Sequence, residues 1–458
     1  MPVEIRTMKK RFVPNKTRNS FTLLAILLAV SLSLSGCGEI NFTSLLRTVI
    51  PPTQAANSNT PLTTASAQAQ LTPTQPAATA TPSGPQTYFI WVPPQFDPQL
   101  DTAASRQLQA RLNQFMDENS QVIIEVRVKA ATGPGSLLDS LTLANAAANP
   151  ESLPVLVALP RSDMEVAALK GLIFPMDDLT SVIDQNDWFE YARQLAILQG
   201  ATYGIPFAGD AMLLLYRPAR VGAAPTTWED ILSRGQPLSF PAADPQSLLT
   251  LLLYQSSGGS IVDLQGRPTL SAETLSRVLE LYADGALQGT FPSMISNIQS
   301  DTQAWQLYQD KTANMVITWS SRYLSELPVD TAAVPITSLA NQEYTLATGW
   351  MWALSDPLPE RRAVSVKLAE YLSESEYLTQ WAPASGYLPV RPSGLNAISN
   401  QSLRGLLGRV IQSSSIRPTN DLITGVGPLL QESTLAMIER LSEPVQAANT
   451  AAERLNSP

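Results

Sequence analysis

Short apolar runs alternate along the chain with longer segments whose apolar residues recur every three or four positions. Residues 88–92 form an apolar run that predicts a buried strand, and residues 122–128 alternate between apolar and polar side chains as a half-buried strand does. Between them, residues 108–116 carry apolar side chains at helical spacing. The order strand, helix, strand predicts a crossover unit with a parallel sheet, the building block of an α/β fold.

The same alternation continues to the end of the chain, without an evident internal repeat. Further apolar runs predict more strands, and apolar side chains at helical spacing predict two more helices, the second of them long. The predicted strands cover residues 155–159, 212–216, 315–318 and 349–354, and the helices cover residues 137–148 and 428–455. The pattern as a whole predicts the α/β class.

The folded part of the chain is too long for one hydrophobic core. Residues 51–86 are nearly all Thr, Ala, Pro, Gln, Ser and Asn, a composition that cannot bury enough apolar surface to offset its ordering entropy. We interpret residues 37–86 as a disordered tether. The remainder, residues 87–458, exceeds the roughly 250–300 residues at which single cores stop growing, so two lobes are expected.

The N-terminal segment predicts export. Six basic residues precede an uncharged apolar run at residues 21–34, which the sequence Leu-Ser-Gly-Cys closes at Cys37. This order is typical of a secretory signal peptide, here residues 1–36, and the run is shorter than the roughly 20 residues that a membrane-spanning helix needs. The closing residues resemble the lipobox of bacterial lipoproteins, which implies that a lipidated Cys37 anchors the protein to the outside of the cell membrane. The alternative is an ordinary secretory leader with an unmodified cysteine.

Missing residue types exclude whole classes of chemistry. The chain has no His, and Cys37 is its only cysteine. Ser-His-Asp and Cys-His catalytic groups and zinc sites with imidazole ligands are therefore excluded, and we predict neither a metal nor a cofactor. The formal charge is −9, and it becomes −14 without the predicted leader, which has six basic residues and one acidic residue. This acidity argues against a nucleic-acid partner.

Six phrases, in register across the chain, resemble the extracellular solute-binding proteins that serve bacterial ABC importers, in particular the family that binds sugars and oligosaccharides. The family's Gly-x-x-Tyr-Gly-Ile-Pro phrase is matched at residues 200–207, and its Gly-Tyr-Leu-Pro-Val phrase is matched within residues 381–391. No single phrase suffices, but six in the family's order are specific. The other four are PTTWEDIL at residues 225–232, NMVITW at 314–319, TGWMWALS at 348–355 and the helical segment at 368–375.

This resemblance implies a two-lobed fold of the periplasmic-binding-protein type II, with a ligand cleft between the lobes. Lobe 1 would comprise residues 87–209 plus about 334–352, and lobe 2 would comprise residues 210–333 plus about 353–458. The implied function is that of a monomeric receptor, which captures a small-molecule solute, expected to be a carbohydrate, and delivers it to the transmembrane subunits of an ABC permease.

Stacking on sugar rings requires flat apolar faces. Trp91 ends the first predicted strand, and ligands of α/β sheets lie beyond the carboxyl ends of strands. Trp319 follows a later strand in the same way, and Phe207 lies where the resemblance places a crossing between lobes. Trp350 and Trp352, two apart on one strand, face the same side of the sheet. We predict that Trp91, Phe207, Trp319 and Trp350 contact the ligand; packing in the core is the alternative for each tryptophan.

Polar side chains are expected to hydrogen-bond the hydroxyl groups of the ligand. Asp210, at the predicted crossing, is the favoured carboxylate, with a turn or a helix cap as the alternative. Arg322 lies in the helical stretch that Trp319 starts and is a candidate donor at the same opening. The resemblance adds Tyr387, which packing could also explain, and the irregular stretch that holds Arg417 and Asn420.

Two other functions stay open. A binding module that serves a sensor would have the same fold and a similar cleft. A hydrolase could cut sugars with paired carboxylates and no histidine, but no Asp or Glu lies in a phrase that resembles a glycosidase. We therefore expect a binding protein rather than an enzyme.

Overall fold

A computed structural model describes residues 84–147 and 150–456. The predicted signal peptide, the predicted lipidation site Cys37 and nearly all of the predicted tether lie outside these residues. Within the described part of the chain, no helix is both long and apolar enough to cross a membrane.

Within these ranges, nine strands form one mixed sheet, and two very short strands form a separate hairpin. The strand order in the large sheet is β2-β1-β3-β10-β6-β8-β7, with β11 paired to β10 and β9 paired to β6. The strands are β1 (Gln86–Val92), β2 (Val122–Val128), β3 (Leu156–Pro160), β4 (Ile197–Leu198), β5 (Ala201–Thr202), β6 (Gly204–Tyr216), β7 (Leu238–Ser239), β8 (Met315–Trp319), β9 (Ala332–Val334), β10 (Thr345–Leu354) and β11 (Ser414–Ile416).

The helices lie in the connections between the strands and after the last strand. In the first part of the chain they are α1 (Ala103–Glu118), α2 (Leu137–Ala146), α3 (Arg161–Leu169) and α4 (Glu190–Ala196). In the middle they are α5 (Pro218–Val221), α6 (Trp228–Ser233), α7 (Leu248–Ser256), α8 (Ala272–Gln288), α9 (Asp301–Gln309) and α10 (Ser320–Glu326). The last six are α11 (Pro359–Tyr371), α12 (Ser375–Ser385), α13 (Pro392–Asn396), α14 (Gln401–Gln412), α15 (Asn420–Ile438) and α16 (Pro444–Asn456).

The predicted first crossover unit is confirmed. Strands β1 and β2 are parallel in register from Gln86 opposite Val122 to Val92 opposite Val128. Helix α1 connects them and buries Leu108 on the face that meets the sheet. The α/β class follows from the residues themselves, because the apolar run of β1 and the helical spacing of α1 leave one buried face on each element.

The predicted long closing helix is wrong. The segment forms two helices, because Arg440 adopts a left-handed backbone with φ of 57° and Pro444 begins α16. A left-handed residue ends a helix, and a proline is tolerated only in the first turn of the next one.

Apolar side chains collect in two cores, which define the two lobes. The first lobe is built mainly from residues 86–211 and 347–412, around β1, β3 and the first part of β6. The second lobe is built mainly from residues 212–346 and 414–456, around β8 and the second part of β6. Alternate residues of β6 and β8 and the buried apolar residues of α9 also join the first core, so the two cores meet at the shared strands.

The predicted lobe boundaries need correction in two places. Helices α11 to α14 were assigned to the second lobe, but their apolar residues, among them Leu368 and Leu378, pack in the first core. Residues 334–346 were assigned to the first lobe, but Ile336 and Leu346 pack in the second core. The amphipathic pattern of a helix predicts a buried face and does not identify the core that buries it.

Two long strands and one short strand cross between the lobes. The 13 residues of β6 are all buried; residues 204–211 pair with β10 and residues 212–216 pair with β8. Strand β10 returns the chain to the first lobe, and β11 beside it leads to the second. Gly209 allows the Tyr191 side chain to approach the crossing strand β6 closely, because a β-carbon at residue 209 would lie 2.1 Å from the hydroxyl oxygen of Tyr191.

Candidate functional site

A cavity of about 470 Å³ lies where β6, β8 and β10 meet the second lobe. We call it the cleft cavity. Three of the predicted ligand residues line it: Asp210, Trp319 and Trp350. Sheet pairing brings them together, because Trp319 lies opposite Met212 on β6, two residues beyond Asp210. The structure therefore gathers in one place three residues that are far apart in the sequence.

Asp210 is buried and fully engaged by protein donors. Its Oδ1 accepts hydrogen bonds from the Ala211 amide (3.0 Å), the Ser320 hydroxyl (2.7 Å) and the Ser321 amide (3.0 Å). Its Oδ2 accepts from the Ser321 hydroxyl at 2.6 Å. Burial raises the pKa of the carboxyl to about 6, and the serine donors oppose that rise. Asp210 thus caps α10 and ties the crossing strand to the second lobe, which was the alternative to the predicted ligand contact.

A second cavity of about 480 Å³ shares Trp319 and Asp301 with the cleft cavity. Arg322 and Tyr387 line it, so two further predicted residues lie beside the first three. The Arg322 guanidinium is held by the Asp301 carboxylate at 3.0 Å and donates to the Thr302 hydroxyl at 2.6 Å. Arg322 is therefore a paired charge at the rim of the site.

Two predicted ligand residues lie in the first core. Trp91 is only 3% exposed, and its ring is covered on one side by the Lys129 ammonium at 4.9 Å. Phe207 is also 3% exposed and stacks on Trp352 with ring centroids 4.6 Å apart. Neither ring presents a face to the cleft cavity. The core was the alternative for Trp91, and here it is the observed position of both rings.

Phe207 belongs to a cluster of aromatic rings behind one wall of the cleft. Phe96 lies at its centre, with ring centroids 5.1 Å from Phe207, 5.3 Å from Trp350 and 5.2 Å from Tyr387. Trp350 and Trp352 both contact this cluster, as expected for residues two apart on one strand. Trp350 is the member that also reaches the cleft cavity.

Asn420 lies in a different cavity from the other predicted residues. This cavity, about 510 Å³, is formed by α3, the β4–β5 hairpin and the start of α15. The Asn420 amide N–H donates to Glu165 Oε2 at 2.8 Å, and its side chain donates to the Ser162 carbonyl at 2.7 Å. Asn420 thus joins the lobes at the third crossing.

Arg417, three residues earlier, lines the cleft cavity and is 8% exposed. Its guanidinium donates to Gln246 Oε1 at 2.8 Å and to Asn420 Oδ1 at 3.0 Å. Burial lowers the pKa of Arg417, and the Glu165 and Asp244 carboxylates oppose that change. The hydrogen bonds of Arg417 therefore go to neutral acceptors, and the two carboxylates lie beyond ion-pair distance.

Sequence reasoning missed the loop that forms much of the cleft cavity. Residues 240–250, from the end of β7 into the first turn of α7, all contribute except Ala242, Ala243 and Pro245. Asp244, Gln246 and Ser247 supply its polar groups. The available signal was an Asp-Pro-Gln-Ser sequence between a strand and a strongly apolar helix, because polar residues at that position start helices at the carboxyl edge of a sheet.

Acidic and basic side chains both lie around the cavity. Asp301 is paired with Arg322. Burial raises the pKa of Asp244, and the positive charge of Arg417 opposes that rise. Residues 84–147 and 150–456 contain no group of three or more acidic side chains placed to hold a metal ion. The site is a polar and aromatic cleft suited to reversible binding.

Two lobes joined by crossing strands, with a cleft where they meet, define the class of two-lobed binding proteins. The chain belongs to the bacterial extracellular solute-binding proteins, because the sequence model of that family matches residues 110–401. Family membership places the protein outside the cytoplasm and identifies it as a binding protein. No curated protein matches the chain significantly.

Solved structures of sugar-binding proteins share the fold. The cyclic α-maltosyl-1,6-maltose-binding protein of Arthrobacter globiformis has a TM-score of 0.66 at 14% identity, covering 81% of this chain and 98% of that chain. Maltose-bound MalE3 of T. maritima has a TM-score of 0.62 at 16% identity, with coverage of 81% and 98%. The GacH receptor of Streptomyces glaucescens, solved unliganded and with acarbose, has a TM-score of 0.61 at 15% identity, with coverage of 80% and 97%.

Proposed function

We propose that the protein captures a carbohydrate in the cleft cavity and delivers it to an ABC permease. One observation carries the proposal: Trp319 and Trp350 line the same cavity as Asp244 and Gln246. A sugar ring has an apolar C–H face and a polar rim, so it needs an aromatic face and hydrogen-bonding groups in one place. The structural neighbours that bind maltose and acarbose support this ligand class.

The electrostatics of the cavity favour a ligand without a strong charge. Arg322 is paired with Asp301, and the Arg417 guanidinium donates to Gln246 and Asn420, so both guanidinium groups are already engaged by the protein. Polar groups that remain available, such as the Gln246 amide nitrogen, suit neutral hydroxyl groups. The proposal therefore specifies a neutral or nearly neutral saccharide.

Capture needs closure of the lobes and no covalent chemistry. A ligand that contacts both lobes binds the closed form better than the open form, and a preference of about 5.5 kcal/mol shifts a hinge from 1:99 to 99:1. Trp350 and Trp319 belong to opposite lobes, so one sugar between them would supply part of that preference. The closed form is the one we propose that the permease recognises.

The same proposal includes the lipid anchor at Cys37. It is supported by the lipobox-like sequence and the extracellular family. Expression in a bacterium with an alkyne-labelled fatty acid should label the wild-type protein and leave Cys37→Ser unlabelled. Equal labelling of both would contradict the anchor and leave the carbohydrate proposal standing.

The direct test of carbohydrate capture is a ligand panel. The protein from residue 84 onward should gain melting temperature with at least one of maltotriose, cellotriose and xylotriose, and its radius of gyration in X-ray scattering should fall with the same sugar. No reducing ends should be released from that sugar. A panel of these and other common glycans that changes neither quantity would contradict the proposal.

A further inference from the structure

The buried ion pair between Arg161 and Glu165 lies at the ends of two helices. The two side chains are one turn apart on α3, are 5% and 10% exposed, and place Arg161 Nε 2.9 Å from Glu165 Oε1. Arg161 Nη1 also donates to the carbonyls of Gln194, Leu195 and Ile197, at 3.0, 2.6 and 2.9 Å. These carbonyls lie at the end of α4, where a positive charge is favourable. Arg161 therefore fixes Glu165 firmly to the first lobe.

Glu165 extends this ion pair into the second lobe. Its other oxygen, Oε2, accepts the amide N–H of Asn420 at 2.8 Å, and Asn420 is the first residue of α15. Thr419, which precedes the helix, does not cap it with its own side chain. A carboxylate at this position is favourable, because it accepts an amide that the helix leaves free and faces the positive end of the helix dipole. Glu165 thus caps a helix of the opposite lobe.

A second hydrogen bond lies beside this cap. The Asn420 side chain donates to the Ser162 carbonyl at 2.7 Å, and Ser162 lines the cleft cavity. Glu165 and Asn420 line the other cavity of about 510 Å³. We call the two bonds that Asn420 makes with Glu165 and Ser162 the interlobe latch. Because the latch borders a cavity, water can replace its bonds when the lobes separate, so opening there is reversible.

The lobes also meet at a second place, beside the cavity that holds Arg322. Ser325 of the second lobe lies against Gly386 of the first, since a β-carbon at residue 386 would be 3.2 Å from Ser325 Cα. Residues of both lobes line the cleft cavity between these contacts and the latch. The arrangement of the lobes described here is therefore closed.

Rotation of one lobe against the other must strain the latch. Glu165 is fixed to the first lobe by Arg161, whereas Asn420 begins the helix that packs in the second core. A hydrogen bond tolerates a change of only about 0.5 Å in the distance between donor and acceptor. A hinge motion larger than that breaks both bonds at once.

We propose that the interlobe latch holds the cleft closed, so that Glu165 sets the affinity for the sugar from outside the cleft cavity. This inference rests on the proposed capture of a carbohydrate by lobe closure. The apparent affinity of a two-state receptor is its closed-state affinity multiplied by the fraction of molecules that are closed. Weakening the latch should therefore lower the affinity and the closed fraction by the same factor.

Two variants weaken the latch in different ways. Glu165→Gln keeps an oxygen for the Asn420 amide and removes the charge that faces α15. Asn420→Asp keeps the oxygen that accepts from Arg417, but it places a carboxylate beside Glu165 and the Ser162 carbonyl. Each should lower the ratio of closed to open molecules about tenfold, because the bond that it weakens involves a charged group.

Asp421→Asn is the matched control. It removes a negative charge from the same turn of α15, at an exposed residue that takes no part in the latch. It should change neither the closed fraction nor the affinity.

Distances between two spin labels, measured by pulsed electron paramagnetic resonance, give the closed fraction without any ligand. Cys37 is the only cysteine in the chain, so a Cys37→Ser protein accepts labels at Asp117→Cys on α1 and Glu280→Cys on α8, which are exposed and belong to different lobes. In this labelled parent the shorter distance should be more populated than in either latch variant. Isothermal titration with the best sugar of the panel then measures the affinities.

Unchanged distances in both latch variants would overturn the inference, whatever happens to sugar binding. A loss of affinity without a loss of closed molecules would overturn it as well, because the residue would then act on the ligand directly. If no sugar binds the parent and the latch variants still open, the carbohydrate proposal fails and the latch stands.

Discussion

The two lobes line the cleft with different kinds of residues. The first lobe contributes Trp350, held by a cluster of aromatic rings around Phe96. The second lobe contributes Trp319 together with the starts of three helices and their polar residues. The aromatic side is fixed by its own packing, so most of its surface stabilises the fold. The polar side leaves donors and acceptors unused, so more of its surface is available to a ligand.

Asp210 lies between these two sides and, like the aromatic residues of the first lobe, mainly stabilises the fold. Its carboxylate accepts four hydrogen bonds from protein groups, which leaves little capacity for a ligand. A residue can therefore line the cavity and still serve the fold. Substitutions can distinguish residues that stabilise the protein from residues that bind the ligand.

The largest effect is expected at the packed aromatic side. Phe207→Ala should lower the free energy of unfolding by about 3–5 kcal/mol, because it leaves a cavity against Trp352 and Phe96. Denaturation by urea, followed by far-ultraviolet circular dichroism, measures the change. Tyr387→Phe, which removes one hydroxyl from the same cluster, is the control and should change stability by about 1 kcal/mol. A stable Phe207→Ala protein with lost sugar affinity would instead assign Phe207 to the ligand.

The next effect concerns the pH dependence of stability at Asp210. Its pKa is about 6 in the folded protein and about 3.9 in an unfolded chain, so the folded state binds the proton more tightly. The stabilisation is complete below pH 4 and is lost as the pH rises through 6. The wild type should therefore lose on the order of 3 kcal/mol from this group between pH 4 and pH 7, and Asp210→Asn should lack that component.

Urea denaturation of both proteins at pH 4, 5, 6 and 7 measures this difference. At pH 7 the variant should still bind sugar, since Asp210 is engaged by Ser320 and Ser321. Parallel stability profiles for the two proteins would show that the Asp210 carboxyl is not the titrating group.

The smallest effect is expected for Trp319, which is half-buried at the cavity. Trp319→Ala should weaken sugar binding about tenfold, or about 1.4 kcal/mol, because a stacking face is lost. Trp319→Phe retains an aromatic face and should lose less. Isothermal titration calorimetry with the best sugar of the panel distinguishes the two. Equal affinity of Trp319→Ala and the wild type would shift the stacking role to Trp350 alone.

The sequence predicted the fold better than it predicted the partners of individual side chains. The strand and helix pattern around β1, α1 and β2 was correct because its information is local. The placement of α11 to α14 was wrong because a helix of given pattern can dock on either core. The cap formed by Asp210 was only an alternative, since its partners Ser320 and Ser321 lie about 110 residues further along the chain.

Within the site, the aromatic residues were easier to find than the polar ones. Tryptophans at strand ends stand out in a sequence, and two of the three predicted tryptophans reach the cleft cavity. Ser247 carries no comparable signal, because a left-handed backbone at a serine cannot be read from residue type. Trp91 shows the opposite error, since a strand end near the cleft does not decide which face of the sheet a ring occupies.

The lobes are assembled from separate stretches of chain, and this dictates when they can fold. The first core requires residues up to Ile411, and the second requires residues up to Ala451. Neither core can therefore close until the chain has been synthesised beyond residue 411. Such long-range closure slows folding, so we expect each core to form only late in the synthesis of the chain.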